Sequence, residues 1–158
     1  NQNPKKTSKK NTKKRKNSRD SLRIMMVNFQ SIRNKTADTK VLIDEYDPDI
    51  VQGVETWLSE EISSAEVFSD SYDVFRKDRQ VGIHGGILVA CKKDLILTRK
   101  EEFEVESELL WSQLELKGRH SLLIGTAYKP RHDDKNFVSE LENSLRKISR
   151  KGRETTIT

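Results

Sequence analysis

Apolar residues come in short runs of strand length, with helical spacing in only two places. Residues 22–28 (Leu-Arg-Ile-Met-Met-Val-Asn) form the first run. Residues 34–46 follow, with Ala37, Val41, Leu42 and Glu45/Tyr46 at helical spacing, and Pro48 closes the segment. Ile50, Val51 and Val54 read as a short buried strand that ends on an acid, Glu55. Strand, helix, strand at this spacing predicts a βαβ unit with parallel strands. Asn28 and Glu55, each ending its strand, are therefore expected on one rim of the sheet, where open α/β sheets place their ligands.

The rest of the pattern is mostly strand. Residues 59–71 are polar and predict a loop with one helical turn. Residues 72–77 and 87–92 read as an antiparallel pair, joined by a loop carrying Gly82, Gly85 and Gly86. Residues 95–98 predict a short strand. Residues 108–116 alternate, with Leu110, Ser112, Leu114 and Leu116 on one face and Trp111, Gln113 and Glu115 on the other. After a turn at Lys117 and Gly118, residues 121–128 return as a buried strand ending on Tyr128. A helix capped by Asp133 or Asp134 is expected to run to about Ile148, with Phe137, Leu141, Leu145 and Ile148 on one face. Residues 150–153 read as a basic turn, and 155–158 as the opening of another strand. No internal repeat is visible.

Charge divides the chain in two. Residues 1–21 hold nine basic residues, one acid and no apolar residue, so they cannot bury enough surface to order themselves. Without residues 1–20, nine positive charges and one negative disappear, and a chain of net charge +5 becomes a body at −3. The expectation is a disordered basic arm at 1–21 and a globular unit at 22–158. The arm is either a nucleic-acid-binding or nuclear-import segment or a solvated linker. Cys91 is the single cysteine and lies in an apolar run, so an inert buried thiol is expected. No apolar run approaches the roughly 20 residues that span a membrane. The chain begins at Asn1 and stops at Thr158 within an apparent strand, which reads as a fragment at both ends.

Three polar groups end strands: Asn28, Glu55 and Tyr128. Each alone is weak, since such residues usually serve turns, solvent or packing. With their neighbours they resemble something specific. Asn-Phe-Gln-Ser-Ile-Arg-Asn-Lys (28–35), Pro-Asp-Ile-Val through Glu-Thr-Trp-Leu (48–58), Phe-Arg-Lys-Asp-Arg through Gly-Gly-Ile-Leu-Val-Ala (75–90) and Ala-Tyr-Lys-Pro (127–130) occur in that order. The set resembles the endonuclease/exonuclease/phosphatase superfamily, and within it the apurinic-type endonuclease domain of non-LTR retrotransposon polyproteins. The resemblance runs from about residue 22 to 158.

It implies an α/β fold, an incomplete DNase I-like four-layer α/β sandwich of two mixed sheets with outer helices. It implies hydrolysis of DNA phosphodiesters with Mg²⁺ or Mn²⁺. Glu55 matches the metal-binding glutamate, Asn28 the asparagine that orients phosphate and metal shell, and Tyr128 the tyrosine that supports charge on the phosphate. Gln30 is a candidate DNA contact. Arg76, Lys77 and Arg79 are either backbone contacts or a solvated basic hairpin. The implied partners are DNA, element RNA through the arm and a downstream reverse transcriptase, at a nuclear location and without a membrane. Gly85 and Gly86 read as turn glycines, because no Walker lysine and threonine follow. His84, His120 and His132 read as surface residues, and Trp57 and Trp111 as core or rim packing.

Two rival readings stay open: a non-catalytic nucleic-acid-binding module working through the arm, and a phosphoesterase of the same superfamily. The resemblance also implies later Asp-x-Asn and Asp/His elements that position and activate water, and the chain carries neither. A missing general base lowers the rate about 10²–10⁴-fold. Little nuclease activity and imperfect folding are expected of the chain alone. In a plasmid-nicking assay with Mg²⁺ the expected result is background. Robust nicking that Glu55→Ala abolishes would overturn that expectation.

Overall fold

A computed structural model describes residues 21–80, 82, 84–118, 120–129 and 136–155, the last three as backbone only. Residues 1–20 of the basic arm, the two candidate caps Asp133 and Asp134, His132 and residues 156–158 lie outside the described residues. The βαβ unit is present: β1 (Ile24–Asn28), α1 (Thr36–Tyr46) and β2 (Ile50–Val54). β1 and β2 pair in parallel, with Asn28 opposite Val54. Helix α1 ends on Asp47 in the left-handed region at φ 44°, its N–H donating to the Ile43 carbonyl. Pro48 then blocks continuation. A single 3₁₀ turn, Ser64–Glu66, interrupts the following loop.

β3 (Tyr72–Lys77) and β4 (Ile87–Lys92) form the expected antiparallel pair, and β4 also pairs antiparallel with β2. The first sheet therefore has the order β1-β2-β4-β3 and is mixed. β5 (Leu97–Arg99), β6 (Leu109–Glu115) and β7 (Ser121–Ala127) make the second sheet, whose described pairs are all antiparallel. α2 (Phe137–Thr155) follows β7 and packs beside Phe103 and Trp111.

Strand alternation sorts the first sheet's side chains into two cores. Ile50, Ile87, Val89 and Cys91 face Leu110, Leu114 and Ile124 of the second sheet. Val51, Leu88 and Ala90 face the other way, toward Phe29, Ile32 and Ile43 of the α1 layer. This is the expected α/β sandwich of two sheets with outer helices. Gly53 shows how tight the outer core is: a Cβ there would lie 2.5 Å from the Phe29 ring. Cys91 is buried, and burial pushes its thiol up to about 11, as an inert thiol requires. Among the described residues no helix is long and apolar enough to cross a membrane.

Packing corrects several finer expectations. α1 turns Thr39 and Ile43 inward, while Ala37, Val41 and Tyr46 are exposed. So few apolar residues line this helix that no stripe dominates, and docking on Phe29 and Ile32 chose the face. α2 continues through residues 150–153, which are helix and not a turn, and Thr155 is its last residue, not a strand opening. Leu145 is 48% exposed and Ser144 is buried in its place. The Ser144 hydroxyl accepts from Trp111 Nε1 at 2.8 Å and donates to the Phe103 carbonyl. Two backbone and indole groups that need partners thus outweigh one apolar side chain. Among the described residues β7 is an edge strand, buried on one face only, at Ile124 and Thr126, and Leu116 falls beyond the end of β6 and is exposed. The short fifth strand begins at Leu97, two residues later than expected.

A buried polar contact crosses between the sheets at β2 and β7. Gln52 of β2 is buried, and its Nε2 donates to the Gly125 carbonyl at 3.1 Å and to Thr126 Oγ1 at 2.8 Å. Gln52 lies three residues before Glu55, and Thr126 two before Tyr128. The bond therefore sets where the ends of β2 and β7 stand relative to one another. Gln52→Leu keeps the volume but strands the two acceptors. We expect a loss of about 1–3 kcal/mol in urea denaturation; a change within about 0.5 kcal/mol, the range of an ordinary surface substitution, would contradict this role.

Candidate active site

The carboxyl ends of β1, β2 and β7 share a rim with the start of β4. Parallel pairing continues past the strand ends: Phe29 N–H donates to the Val54 carbonyl at 3.0 Å, Ser31 to Glu55 at 3.0 Å and Ile32 to Thr56 at 2.9 Å. On the other side, Thr56 N–H reaches the Gly86 carbonyl at 3.2 Å and Trp57 N–H the Gly85 carbonyl at 2.9 Å. Glu55-Thr56-Trp57 is thus clamped between two segments. The clamp bends the backbone, placing Glu55 at φ 54° and Trp57 at φ 52°. Gly85 and Gly86 lie at φ 98° and 83°, and a Cβ on Gly86 would meet Thr56 Oγ1 at 2.6 Å. They are turn glycines that allow close approach, as expected from the sequence.

Glu55 is only 9% exposed. Burial alone would push its carboxyl up. Hydrogen bonds from the Trp57 indole (2.5 Å to Oε2), the Tyr128 hydroxyl and the Gly85 backbone, with the charge of Arg79, outweigh burial and hold it below the usual carboxylate range. Glu55 is therefore an anion at neutral pH. The same bond to Glu55, with burial second, raises the Tyr128 hydroxyl, so Tyr128 stays protonated and can only donate there. The fold brings Tyr128 near enough to Glu55, 73 positions earlier, for its hydroxyl to stabilise the carboxylate. Asn28 stands at the neighbouring strand end, exposed, its Oδ1 accepting from Gln30 N–H at 3.3 Å. Gln30 is exposed at φ 45°.

The three basic candidates do not form a solvated hairpin. Arg76 is half-buried against Asp78 and donates to the Ile62 carbonyl at 2.6 Å and the Ser59 carbonyl at 2.8 Å. Lys77 donates to the Val105 and Ser107 carbonyls, and burial pulls its ammonium down. Arg79 pairs with Glu108. Each has internal partners, because the β3 end lies under the loops before β6 and not in open solvent.

Sequence reasoning missed Glu108. It is buried, pairs with Arg79 at 2.5 Å and accepts from Gly86 N–H at 2.9 Å, and its carbonyl accepts from Tyr128 N–H at 2.9 Å. Burial pushes its carboxyl up, against the pull of Arg79 and Gly86 and with the help of Glu55's charge. The available signal was its place: an acid opening β6, opposite the end of β7. Trp57 and His84 were also read as packing and surface. His84 and His120 are indeed exposed, but Trp57 holds the Glu55 carboxylate and its ring meets that of His84.

The fold recurs in solved structures. The endonuclease domain of TRAS1, a telomere-specific non-LTR retrotransposon, is similar at a TM-score of 0.62 and 14% identity, over 81% of this chain and 54% of that one. The human Nocturnin catalytic domain gives 0.59 and 14%, over 82% and 59%. The 3′ phosphatase NExo from Neisseria, bound to a product DNA hairpin, gives 0.56 and 12%, over 85% and 53%. The chain has the fold of the endonuclease/exonuclease/phosphatase superfamily. It spans a little over half the length of these structures. No protein-family model and no curated protein matches it.

Within that superfamily fold, the donors at the rim suit a hard divalent cation only as part of its shell. Among the described residues no group of three or more His, Cys, Asp or Glu side chains is placed to hold a metal. Glu55 supplies an ionised carboxylate and Asn28 an amide oxygen at the next strand end. Mg²⁺ is commonly held by one or two carboxylates with water and substrate phosphate filling the rest, so the set fits that use.

Trp57→Phe removes the indole donor and keeps a ring. In a ¹³C-carboxyl titration the Glu55 midpoint is expected to rise toward the usual carboxylate range. Because the folded-state value is depressed in the wild type, the stability it contributes is present above the unfolded value and fades as pH falls through the folded one. The variant should lose this acid dependence over part of that window. An unchanged midpoint would mean the indole does not hold the carboxylate.

Proposed function

We propose that this chain forms the Glu55-bearing part of a divalent-metal-dependent site that hydrolyses DNA phosphodiesters. The observation that carries the reading is an ionised, nearly buried Glu55 carboxylate held by the Trp57 indole, with the Tyr128 hydroxyl acting on it, at a strand-end rim. Buried charge held this way, at a strand-end rim of an α/β sheet, is a functional-site signature. The fold and the ordered motifs around Asn28, Glu55 and Tyr128 support it. The Glu-Thr-Trp-Leu motif favours target-site nicking for a non-LTR retroelement over a small phosphoester substrate. That role implies nuclear DNA as partner and a reverse transcriptase in the same polyprotein.

Glu55 and Asn28 would hold Mg²⁺ or Mn²⁺, which when bound polarises phosphoryl oxygens and neutralises developing charge. The residues themselves do the rest. Asn28 can accept toward the cation and donate toward a phosphate oxygen. Tyr128, kept protonated by Glu55, donates a hydrogen bond where charge grows on the phosphate. Trp57 fixes the carboxylate's orientation. Glu108 keeps Arg79 at the rim, where its positive charge favours anionic phosphate, and Gln30 stands exposed for a backbone contact. Arg76 and Lys77 are the weaker candidates for contact, since internal bonds take all five N–H groups of Arg76 and two of the three on Lys77.

Manganese broadening tests the assignment without turnover. Addition of Mn²⁺ is expected to broaden the Trp57 indole N–H and Tyr128 ring signals. Losing an outer partner of a metal ligand weakens affinity 10–100-fold, so losing the ligand in Glu55→Gln should weaken it by about 100-fold or more. Equal broadening in wild type and Glu55→Gln, or none in the wild type, would reject it.

A further inference from the structure

The ring faces of Trp57 and His84 have no part in the phosphodiester chemistry, although the Trp57 N–H orients Glu55. The Trp57 indole N–H is taken by Glu55, while its half-buried ring lies against the exposed ring of His84, centroids 4.2 Å apart and tilted by 48°. His84 projects from a loop whose glycines, Gly82 at φ 95° and Gly85 at φ 98°, take the left-handed turns that present it outward. Trp57 itself sits at φ 52°, a backbone conformation that disfavours a bulky residue. Two bonds, backbone N–H to Gly85 and indole N–H to Glu55, hold it there. A tryptophan that only filled space would need neither. Gln30, Ser31, Glu55 and Trp57, four of the described non-glycine residues at positive φ, all gather at this rim, and such outliers concentrate where ligands are gripped.

The geometry points to Trp57 and His84 as a nucleobase-stacking ledge, fixed beside the Glu55 carboxylate, that takes an unpaired base next to the phosphate being cleaved; this rests on the nuclease reading above. Aromatic faces stack bases of any identity, because every base has a π-face. A base in an intact duplex keeps its own neighbours, so the ledge favours single-stranded or locally opened DNA. Because the indole is bonded to Glu55, ledge and carboxylate move as one body. A base seated on the rings therefore sets how far its phosphate lies from Glu55.

The test compares two labelled strands of equal length and charge, in Ca²⁺, by fluorescence anisotropy. One is a ten-residue oligothymidylate and the other the same sugar-phosphate chain without bases. The wild type is expected to bind the base-bearing strand roughly tenfold or more tightly. His84→Ala, a change at an exposed residue, should shrink that preference and leave the abasic strand's affinity unchanged. Trp57→Phe should keep most of the preference and Trp57→Leu should lose it. Equal affinity for both strands, equal weakening of both by His84→Ala, or binding of neither would overturn the proposal. The two readings separate cleanly: His84→Ala should retain Mn²⁺ broadening at Glu55. If Glu55→Gln leaves that broadening intact while the base preference persists, the metal-site reading fails and the ledge stands.

Discussion

A nearly buried carboxylate must be surrounded by donors or it will not stay charged, and Glu55 is the group on which this structure turns. An unpaired buried charge costs several kcal/mol. Here the donors come from separate parts of the chain: the next-but-one residue Trp57, the Gly85 backbone, and Tyr128 at the end of the second sheet's edge strand. Satisfying one carboxylate therefore ties together both sheets and the glycine loop. The left-handed backbone at Glu55 and Trp57 is the local consequence, because the strand must curl to turn both side chains toward the same point.

Everything around this node helps to keep the strand ends in place. Parallel pairing beyond β1 and β2 carries Ser31 and Ile32 alongside Glu55 and Thr56. Gln52 fixes β2 against β7 across the inter-sheet core. Arg79 and Glu108 form an ion pair whose charges are felt at Glu55, with Gly86 N–H and Tyr128 N–H attached to it. Gly85 and Gly86 serve both carboxylates, since a Cβ on Gly85 would meet Arg79 and Glu108 at 2.5 Å. The two rim carboxylates are pushed in opposite directions, Glu55 down and Glu108 up, by hydrogen bonding in one case and burial in the other.

What could be read from the sequence was local or topological. Periodicity gave β1, α1 and β2 within two residues, and β3 and β4 at their observed bounds. The parallel βαβ connection then put Asn28 and Glu55 on one rim without any distance being known. What could not be read was the burial of polar groups through partners far along the chain. Arg76, Lys77 and Arg79 look like a solvated basic run until Ile62, Val105 and Glu108 arrive beside them. Ser144 displaces Leu145 from the core side of α2 because Trp111 and Phe103 need its hydroxyl. Trp57 looks like packing because nothing in its spacing reveals that its indole reaches back two residues to a charged side chain.

The central claim is that the Glu55 carboxylate is held in place, ionised, as a ligand for a hard cation. Crystals of the protein soaked in Mn²⁺ and measured near the manganese absorption edge address it directly. The account predicts an anomalous difference peak within coordination distance of a Glu55 carboxylate oxygen, with Trp57 and Tyr128 still bonded to that side chain. A peak elsewhere, or a Glu55 side chain swung out into solvent with no metal beside it, would contradict it.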